Sequence, residues 1–434
     1  MASEAAAFRA APPSAQSSLG FADAALLCFL LLIFVTLAPF ATRDPATLST
    51  GGLASNGAGN AIRQVTFLGS FLLLAVAGVR ANGFRALNCL SPLFAALLIW
   101  CALSAWWGAA PHVVLRRAIL ETVIVLSAMM GVATVGNGRS LALLRGVLGA
   151  ILVINWLSIP LVRNAVHLPG ELDPQLVGDW RGLYFHKNIA GSVSALTAIL
   201  FFFRAWKVRP FLNGAFCLAA VAFTIMTASK SSLGLLPVAI AAGCLYGAAW
   251  RRGLDRAILC TALLLAAILA GAVLVSWSGL LAHAFADPTK LTGRTAIWQG
   301  EIAFIRDHFL LGAGFGSFSD TGAASLLHNY VADTWVLSIS QGHNAYLEIL
   351  VTIGAVGFAL AMLVLVVAPA RAFWRFGPAN FDERAVLLAI FVFMLAHNFL
   401  ESDFLGGDDP AWVVFLMMLA MLRPSTPGWR STRP

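Results

Sequence analysis

The residues best suited to catalysis follow a polar stretch, 282–341, that separates two apolar parts of the chain. Immediately after it, the run 342–348 reads GHNAYLE and returns to apolar sequence. An imidazole can accept a proton at neutral pH, so His343 is a candidate general base at the mouth of a helix. A lone histidine at such a boundary is usually structural, but the acid that follows it favours a functional role.

That acid is Glu348, just over one helical turn deeper in the apolar sequence. A carboxylate facing lipid costs up to about 3 kcal/mol, so we expect Glu348 to face protein or a wet cavity. Asn344 is four residues before Glu348 and shares its helical face, whereas His343 shares that face only loosely. Asn344 and Glu348 are therefore predicted to support His343.

A second candidate, Arg294, lies within the polar stretch. Thr292 is a suitable N-cap for a helix on the membrane surface, which places Arg294 in its first turn. A cation there meets the positive end of the helix dipole and costs roughly 0.3 to 1 kcal/mol. The placement is reasonable if an anion binds between Arg294 and free backbone N–H groups; the alternative is that Arg294 points into solvent. The apolar stripe of this helix is predicted to comprise Trp298, Ile302, Ile305 and Phe309.

The segment 312–316 that follows reads GAGFG and resembles a nucleotide-binding loop. Such loops follow a β-strand, whereas this one follows a predicted helix, so a dinucleotide site is not expected. We interpret the segment as a helix stop and a flexible turn.

Further cations lie in two other polar connections. The run 180–188 reads WRGLYFHKN, in which Arg181, Lys187 and His186 either form an anion cradle or belong to an interfacial anchor belt. The run 227–232 reads TASKSS, in which Lys230 and four hydroxyl groups either hold a phosphate or form a turn with a snorkelling lysine. Candidate anion-binding or phosphate-binding residues are therefore Arg181, Lys187, Lys230 and Arg294.

One more polar pair lies near the end of a late apolar run. His397 and Glu401 are at positions i and i+4, so they either support the site or pair with each other. The sequence has no HExxH, Cys/His ligand set, Walker loop or nucleophile elbow, so we expect neither a metal nor another cofactor. The six cysteines lack paired spacing and are predicted to be small core residues.

Composition decides the environment of these residues. Of 434 residues, 59% are hydrophobic and 11% are charged, which is typical of an integral membrane protein. The formal charge of +8 comes from small clusters between apolar runs, so it indicates membrane topology and no nucleic-acid binding. The apolar runs are continuous, which favours helices over a barrel.

The fold class predicted is an all-α polytopic membrane protein with about 12 transmembrane helices. Cationic residues are concentrated in alternate connections, which predicts that both termini are cytoplasmic and that the candidate residues face the other side. The predicted spans are 22–40, 65–79, 90–107, 118–136, 141–162, 189–206, 211–228, 231–250, 257–281, 344–369, 385–402 and 410–422.

The chain accordingly divides into five predicted parts. They are a disordered cytoplasmic tail (1–20), nine transmembrane helices (21–281), a long periplasmic loop containing amphipathic helices (282–342), three more transmembrane helices (343–424) and a cytoplasmic tail (425–434).

Several of these motifs together resemble the O-antigen ligase and polymerase superfamily of bacterial cell envelopes. The resemblance covers roughly 181–401 and includes Gly293-Arg294 with Trp298, the turn 311–314, and His343-Asn344. The runs 186–188 and 229–230 look most like the exopolysaccharide-polymerase branch. In the ligase pattern an arginine stands where this chain has Lys230, which leaves less capacity for bidentate phosphate binding.

The resemblance implies a GT-C-like, metal-independent glycosyltransferase of the bacterial inner membrane. Its donor would be a glycan on undecaprenyl pyrophosphate in the periplasm, and its acceptor another glycan or lipid A core. Other expected partners are membrane lipids and polysaccharide assembly proteins. The pyrophosphate would be bound by Arg181, Lys187, Lys230 and Arg294, while His343 would orient or deprotonate the acceptor hydroxyl for an inverting displacement.

Two other classes of function remain compatible with the sequence. A transporter or flippase of lipid-linked glycans would also have about a dozen helices, but its ionisable residues usually lie near the bilayer midplane. A scaffold for envelope assembly would not need converging cations. The clustering of the notable residues on one side favours an enzyme.

Overall fold

The computed structural model of the chain describes residues 19–42, 61–171, 174–205, 208–251, 294–319, 321, 325–331, 342–375 and 381–423. Within these ranges the chain is helical, and the β-type pairing is a single bridge between Val166 and Trp180. The helices are α1 Phe21–Val35, α2 Ala61–Asn82, α3 Pro92–Leu103, α4 Pro111–Val135, α5 Asn137–Leu161, α6 Lys187–Ala205, α7 Pro210–Met226, α8 Lys230–Arg251, α9 Arg294–Asp307, α10 Ala345–Met362, α11 Ala368–Arg375, α12 Phe381–His397 and α13 Pro410–Met421.

Six helical segments in the described ranges are long and apolar enough to cross a membrane. They are Ala61–Ala86, Pro111–Val135, Asn137–Leu161, Lys187–Ala205, Lys230–Ala248 and Ala345–Trp374, the last combining α10 and α11 through a π-helical turn at Leu363–Val367. Shorter apolar helices are Phe21–Val35, Pro92–Trp106, Pro210–Met226 and Pro410–Met421. The prediction of a helical membrane protein is confirmed.

Every predicted span within the described ranges coincides with a helix. The predicted span 257–281 lies outside those ranges, as do most of the two predicted tails, so the number of twelve stays a prediction. One boundary differs in a way that matters for the site. The span predicted at 385–402 ends earlier, because α12 stops at His397 and a turn follows.

The protein core is built around α13 and α6. Every residue of α13 except Ala420 is buried, and the segment 190–201 of α6 is buried without interruption. In contrast, α2 and α8 expose large apolar side chains such as Val65 and Leu245. An apolar exterior around a packed centre is what helices in contact with lipid require.

Two short polar caps start helices of the bundle. The Ser91 hydroxyl accepts a hydrogen bond from the Phe94 amide at 3.2 Å, at the start of α3. An Asp409 oxygen accepts from the Trp412 amide at 2.9 Å, at the start of α13. A proline follows each cap, which suits the first helical position because its missing N–H would have no partner there.

Helix α10 is interrupted at Gly354, whose φ is 66°. The freed carbonyls of Val351 and Thr352 accept hydrogen bonds from Ala313 and Gly314, both at 2.8 Å. The Ala355 amide donates to the Phe309 carbonyl, also at 2.8 Å. The segment 309–314 therefore supplies the partners that an unbroken helix would provide for itself.

This pairing corrects the interpretation of GAGFG as a flexible turn. A Cβ atom on Gly312 would lie 2.6 Å from the Val351 carbonyl oxygen, and Gly312 itself has a φ of 69°. Both the close approach and the left-handed backbone require glycine there. The turn is packed against the broken helix, and it fixes α9 next to α10.

The two ends of the bundle carry different contacts. At one end, Arg139 pairs with Asp23 at 3.4 Å, and the Asn137 side chain donates to the Met421 carbonyl at 2.9 Å. At the other, which we call the site end, α6, α8, α9 and α10 begin and α12 ends. The residues singled out in the sequence gather there.

Candidate active site

Glu401, in the turn after α12, is the centre of the site end. Its Oε1 accepts hydrogen bonds from Arg294 Nη2 at 2.7 Å and from Asn188 Nδ2 at 2.8 Å. Its Oε2 lies 3.1 Å from His343 Nδ1. Three residues that are far apart in the sequence therefore converge on one carboxylate that is only 5% exposed.

The charge of Glu401 follows from these contacts. Burial by itself raises the pKa of Glu401, but the hydrogen bond from His343 and the charges of His343 and Arg294 outweigh it and lower the pKa to about 2. The group is therefore ionised at neutral pH. An ionised carboxylate only accepts hydrogen bonds, which fixes the direction of every contact around it.

Arg294 is the first described residue of α9, and its side chain turns towards Glu401 rather than into solvent. The proposed N-cap, Thr292, lies outside the described residues. The predicted apolar stripe is wrong in part, because Ile302 and Phe309 are exposed whereas Trp298 is buried. The buried face instead includes an acid, Glu301, which apolar periodicity does not reveal.

His343 has a φ of 52°, in the left-handed region that residues with a side chain rarely adopt. The next residue, Asn344, starts α10: its Oδ1 accepts from the amides of Tyr346 and Leu347, both at 3.1 Å. Its own amide donates to the Ser402 hydroxyl at 3.1 Å. Asn344 supports His343 as a helix cap that is attached to the Glu401 turn.

Glu348 faces protein. Its Oε2 accepts from the Gly342 amide at 3.3 Å, so it contacts the backbone just before His343. The two residues predicted to support His343 thus lie on either side of it: Glu348 contacts the residue before His343, and Asn344 is the residue after it.

His397 does not pair with the side chain of Glu401, so that alternative is wrong. Its Nδ1 lies 2.7 Å from Asp403 Oδ2, and its Nε2 lies 3.2 Å from Ser232 Oγ. All three side chains are buried. The amides of Asp403 and Phe404 donate to Asn398 Oδ1, both at 2.9 Å. This network fixes the turn that carries Glu401.

Lys230 is exposed at the start of α8. The neighbouring Ser229 hydroxyl donates to Ser232 Oγ at 3.0 Å, and Ser232 contacts His397 as described. A Cβ atom on Gly191 would overlap Ser229, so α6 and α8 approach closely at this point. Lys230 therefore stands at the site end, one helical turn from the network behind Glu401.

Arg181 and Lys187 have carboxylate partners within their own loop. Arg181 is fully buried, donates from Nε to the Asn164 carbonyl at 2.8 Å and pairs with Glu171 at 3.0 Å. Lys187 Nζ lies 2.6 Å from Asp179 Oδ2. Their role in pyrophosphate binding stays a prediction. In the described ranges, neither side chain forms a hydrogen bond or an ion pair with Glu401.

His186 has a local role as well. Its Nδ1 accepts from the Asn188 amide at 3.2 Å, and the Asn188 side chain continues to Glu401. His186 is thus connected to Glu401 through Asn188, and its supporting role stays a prediction.

Sequence reasoning left open whether Glu401 supports the site, and it missed the roles of Asn188 and Glu301. The signal for Asn188 was present, since an amide side chain at the entrance of a span needs a polar partner. In the described ranges, no group of three or more His, Cys, Asp or Glu side chains could hold a metal ion.

The fold and the site together define a multi-pass helical membrane protein with a charged site at one end of its bundle. Residues 214–362 match the family model described as O-antigen ligase. The exopolysaccharide production protein ExoQ of Rhizobium meliloti (strain 1021) is 27% identical over 329 residues, covering 71% of this chain and 72% of the relative. These matches confirm the resemblance to the O-antigen ligase and polymerase superfamily inferred from the sequence.

Proposed function

We propose that the protein transfers a glycan from an undecaprenyl-pyrophosphate carrier to an acceptor sugar hydroxyl. The observation that carries the proposal is the contact of both Arg294 and His343 with Glu401, which brings a guanidinium and an imidazole to one carboxylate. The relative's name refers to exopolysaccharide production, so we favour polymerisation over transfer to lipid A core. The reaction would take place on the periplasmic side of the bacterial inner membrane.

The base in this proposal is His343 Nε2. Because the ionised Glu401 can only accept, the proton of a neutral His343 ring resides on Nδ1. Nε2 then has its lone pair available for the proton of the acceptor hydroxyl. Glu401 would also stabilise the imidazolium that forms, as a carboxylate does behind other catalytic histidines.

The leaving group is the carrier pyrophosphate. As the acceptor oxygen bonds to the anomeric carbon, the bond from that carbon to the phosphate oxygen breaks, and the configuration inverts. Arg294 has several N–H donors, so its guanidinium can contact Glu401 and a phosphate through different atoms. Lys230 would add a point charge. Two cations acting on the leaving group make a metal ion unnecessary in this proposal.

The alternative is a transporter or flippase of lipid-linked glycans. The break in α10 at Gly354 supports this alternative, because transporters often place such breaks at their binding sites. However, Arg294, His343 and Glu401 lie at the end of α10 rather than at its break. We therefore favour the transferase.

A reconstitution experiment tests these proposals. The purified protein in lipid nanodiscs is given a carrier-linked oligosaccharide, with and without lipid A core. Longer carrier-linked chains without core would identify a polymerase, and glycan on the core would identify a ligase. In vesicles, movement of the intact donor across the membrane without a new glycosidic bond would contradict the transferase and support the transporter. The anomeric configuration of the product would test inversion.

A further inference from the structure

One face of α9 contacts the chain segment that leads into His343. Arg294, Trp298 and Glu301 are spaced by four and three residues, so they share this face. Trp298 is 6% exposed, and its indole Nε1 donates to the Gly342 carbonyl at 2.8 Å. The helix that positions Arg294 thus also holds the residue before His343.

Glu301 lies against the same glycine and is 2% exposed. A Cβ atom on Gly342 would overlap Glu301 Oε1. Burial, reinforced by the charge of Glu348, raises the pKa of Glu301 well above its usual range. Its Oε2 has no hydrogen-bond partner in the described part of the chain. Glu301 therefore limits the space beside Gly342 by direct contact.

Gly342 is therefore held on three sides, by Trp298 at its carbonyl, Glu348 at its amide and Glu301 at its α-carbon. The φ of Gly342 lies outside the left-handed range, so its own backbone does not require glycine. The left-handed residue is the next one, His343. A strained conformation persists only where its surroundings enforce it.

We propose that Trp298 and Glu301 are positioning residues that hold Gly342, so that His343 keeps its left-handed backbone and its Nδ1 stays on Glu401. The consequence for transfer rests on the proposed function of His343. The geometric part does not, which allows the two to be tested separately.

The first test exploits the contact between Gly342 and Glu301. Gly342→Ala should lower kcat for transfer by at least about tenfold, because the added methyl group displaces the segment before His343. In the double variant Gly342→Ala/Glu301→Ala, that methyl group occupies the space the carboxyl group leaves, and kcat should recover most of the loss. A double variant that is no faster than Gly342→Ala would overturn the proposal.

The second test removes one hydrogen bond. Trp298→Phe keeps an aromatic ring but loses the donor to Gly342, so we expect kcat to fall severalfold while KM for the donor stays near the wild-type value. Trp156→Phe is the matched control, since that indole also donates to a backbone carbonyl, that of Ala219, at 3.2 Å. An equal fall in kcat in both variants would contradict a role specific to His343.

A chemical readout separates the proposal from the function. The rate at which diethyl pyrocarbonate modifies His343, followed by mass spectrometry without donor, reports the environment of the ring. We expect the rate to change in Gly342→Ala and in Trp298→Phe and to return towards wild type in Gly342→Ala/Glu301→Ala. If the wild type catalyses no transfer but the modification rates follow this pattern, the proposed transferase function is contradicted and the proposed positioning of His343 is supported. If the rates in all variants equal that of the wild type, the positioning fails.

Discussion

Arg294 and His343 contact different oxygens of one carboxylate, that of Glu401. The first begins a helix in the long polar stretch and the second precedes a transmembrane helix, so Glu401 connects two elements that the sequence separates by about fifty residues. The arrangement holds a cation and an imidazole at a fixed separation before any substrate binds. Such preorganisation is the main source of rate enhancement in sites that stabilise a charged leaving group.

Replacing Glu401 by Gln should preserve its size but remove its charge. The ring of His343 would lose its ionised acceptor, and we expect transfer to fall by about 100-fold, the usual effect of disabling a general base. The measurement is transfer from a carrier-linked glycan by purified protein. Asp408→Asn is the control, because Asp408 pairs with Arg63 but is more exposed. Equal losses in both variants would show that the charge of Glu401 has no special role.

Glu401 also predicts how stability depends on pH. Its pKa is lowered from 4.5 to about 2, so the folded state favours the ionised form. This contribution to the free energy of unfolding is fully present above about pH 4.5 and is lost as the pH falls towards 2. The unfolding temperature of wild type should therefore decrease more steeply than that of Glu401→Gln between pH 5 and pH 3, as followed by intrinsic fluorescence in detergent. If the unfolding temperatures of the two proteins fall equally with pH, the contacts of Glu401 with Arg294 and His343 do not stabilise its ionised form.

Much of this site follows from the sequence because charged residues between apolar runs must gather at the ends of helices. That argument predicts Arg294, His343 and Lys230 at the site end, where the structure places them. It does not predict which cations are already paired. Arg181 and Lys187 have partners, Glu171 and Asp179, in the same loop, and local loop structure of this kind has no periodic signal.

The sequence left the role of Glu401 open for a definite reason. An i, i+4 pair with His397 requires the helix to continue through both residues, but α12 ends at His397. The turn that follows directs Glu401 towards Arg294, and His397 pairs with Asp403 instead. Glu301 was missed because an acid in a polar stretch suggests solvent exposure, and only tertiary packing buries it.

The cap at Asn344 should affect both stability and transfer. Asn344→Ala removes the acceptor of two backbone amides, so we expect a loss of about 1 kcal/mol in the free energy of unfolding and a fall in transfer. Asn344→Ser retains an oxygen that can cap and should lie close to wild type in both properties. Thermal unfolding and transfer assays on the two variants give the comparison. If Asn344→Ser and Asn344→Ala lose stability and transfer equally, helix capping is not the contribution of Asn344.

Lys230 should act on donor binding rather than on the chemical step. It is exposed, so Lys230→Ala should raise KM for the carrier-linked donor by about fivefold with little change in kcat, and the effect should diminish at high salt. Lys230→Arg keeps the charge and provides a guanidinium group that can bind phosphate through two N–H donors, so it should preserve or lower KM. A fall in kcat at unchanged KM in Lys230→Ala would place this residue in the chemical step and contradict the prediction.

The broken helix α10 should tolerate no side chain at Gly312. Gly312→Ala would force a Cβ atom to within 2.6 Å of the Val351 carbonyl oxygen at a residue with a φ of 69°. We expect it to lower the free energy of unfolding by about 2 kcal/mol or more, through strain and overpacking. Gly214→Ala is the matched control, because Gly214 lies in helix α7 with nothing within 4 Å of the added Cβ, and alanine there should stabilise by about 0.5 to 1 kcal/mol. Thermal unfolding of the two variants should therefore shift in opposite directions. A Gly312→Ala protein as stable as wild type would show that the turn does not depend on its contact with α10.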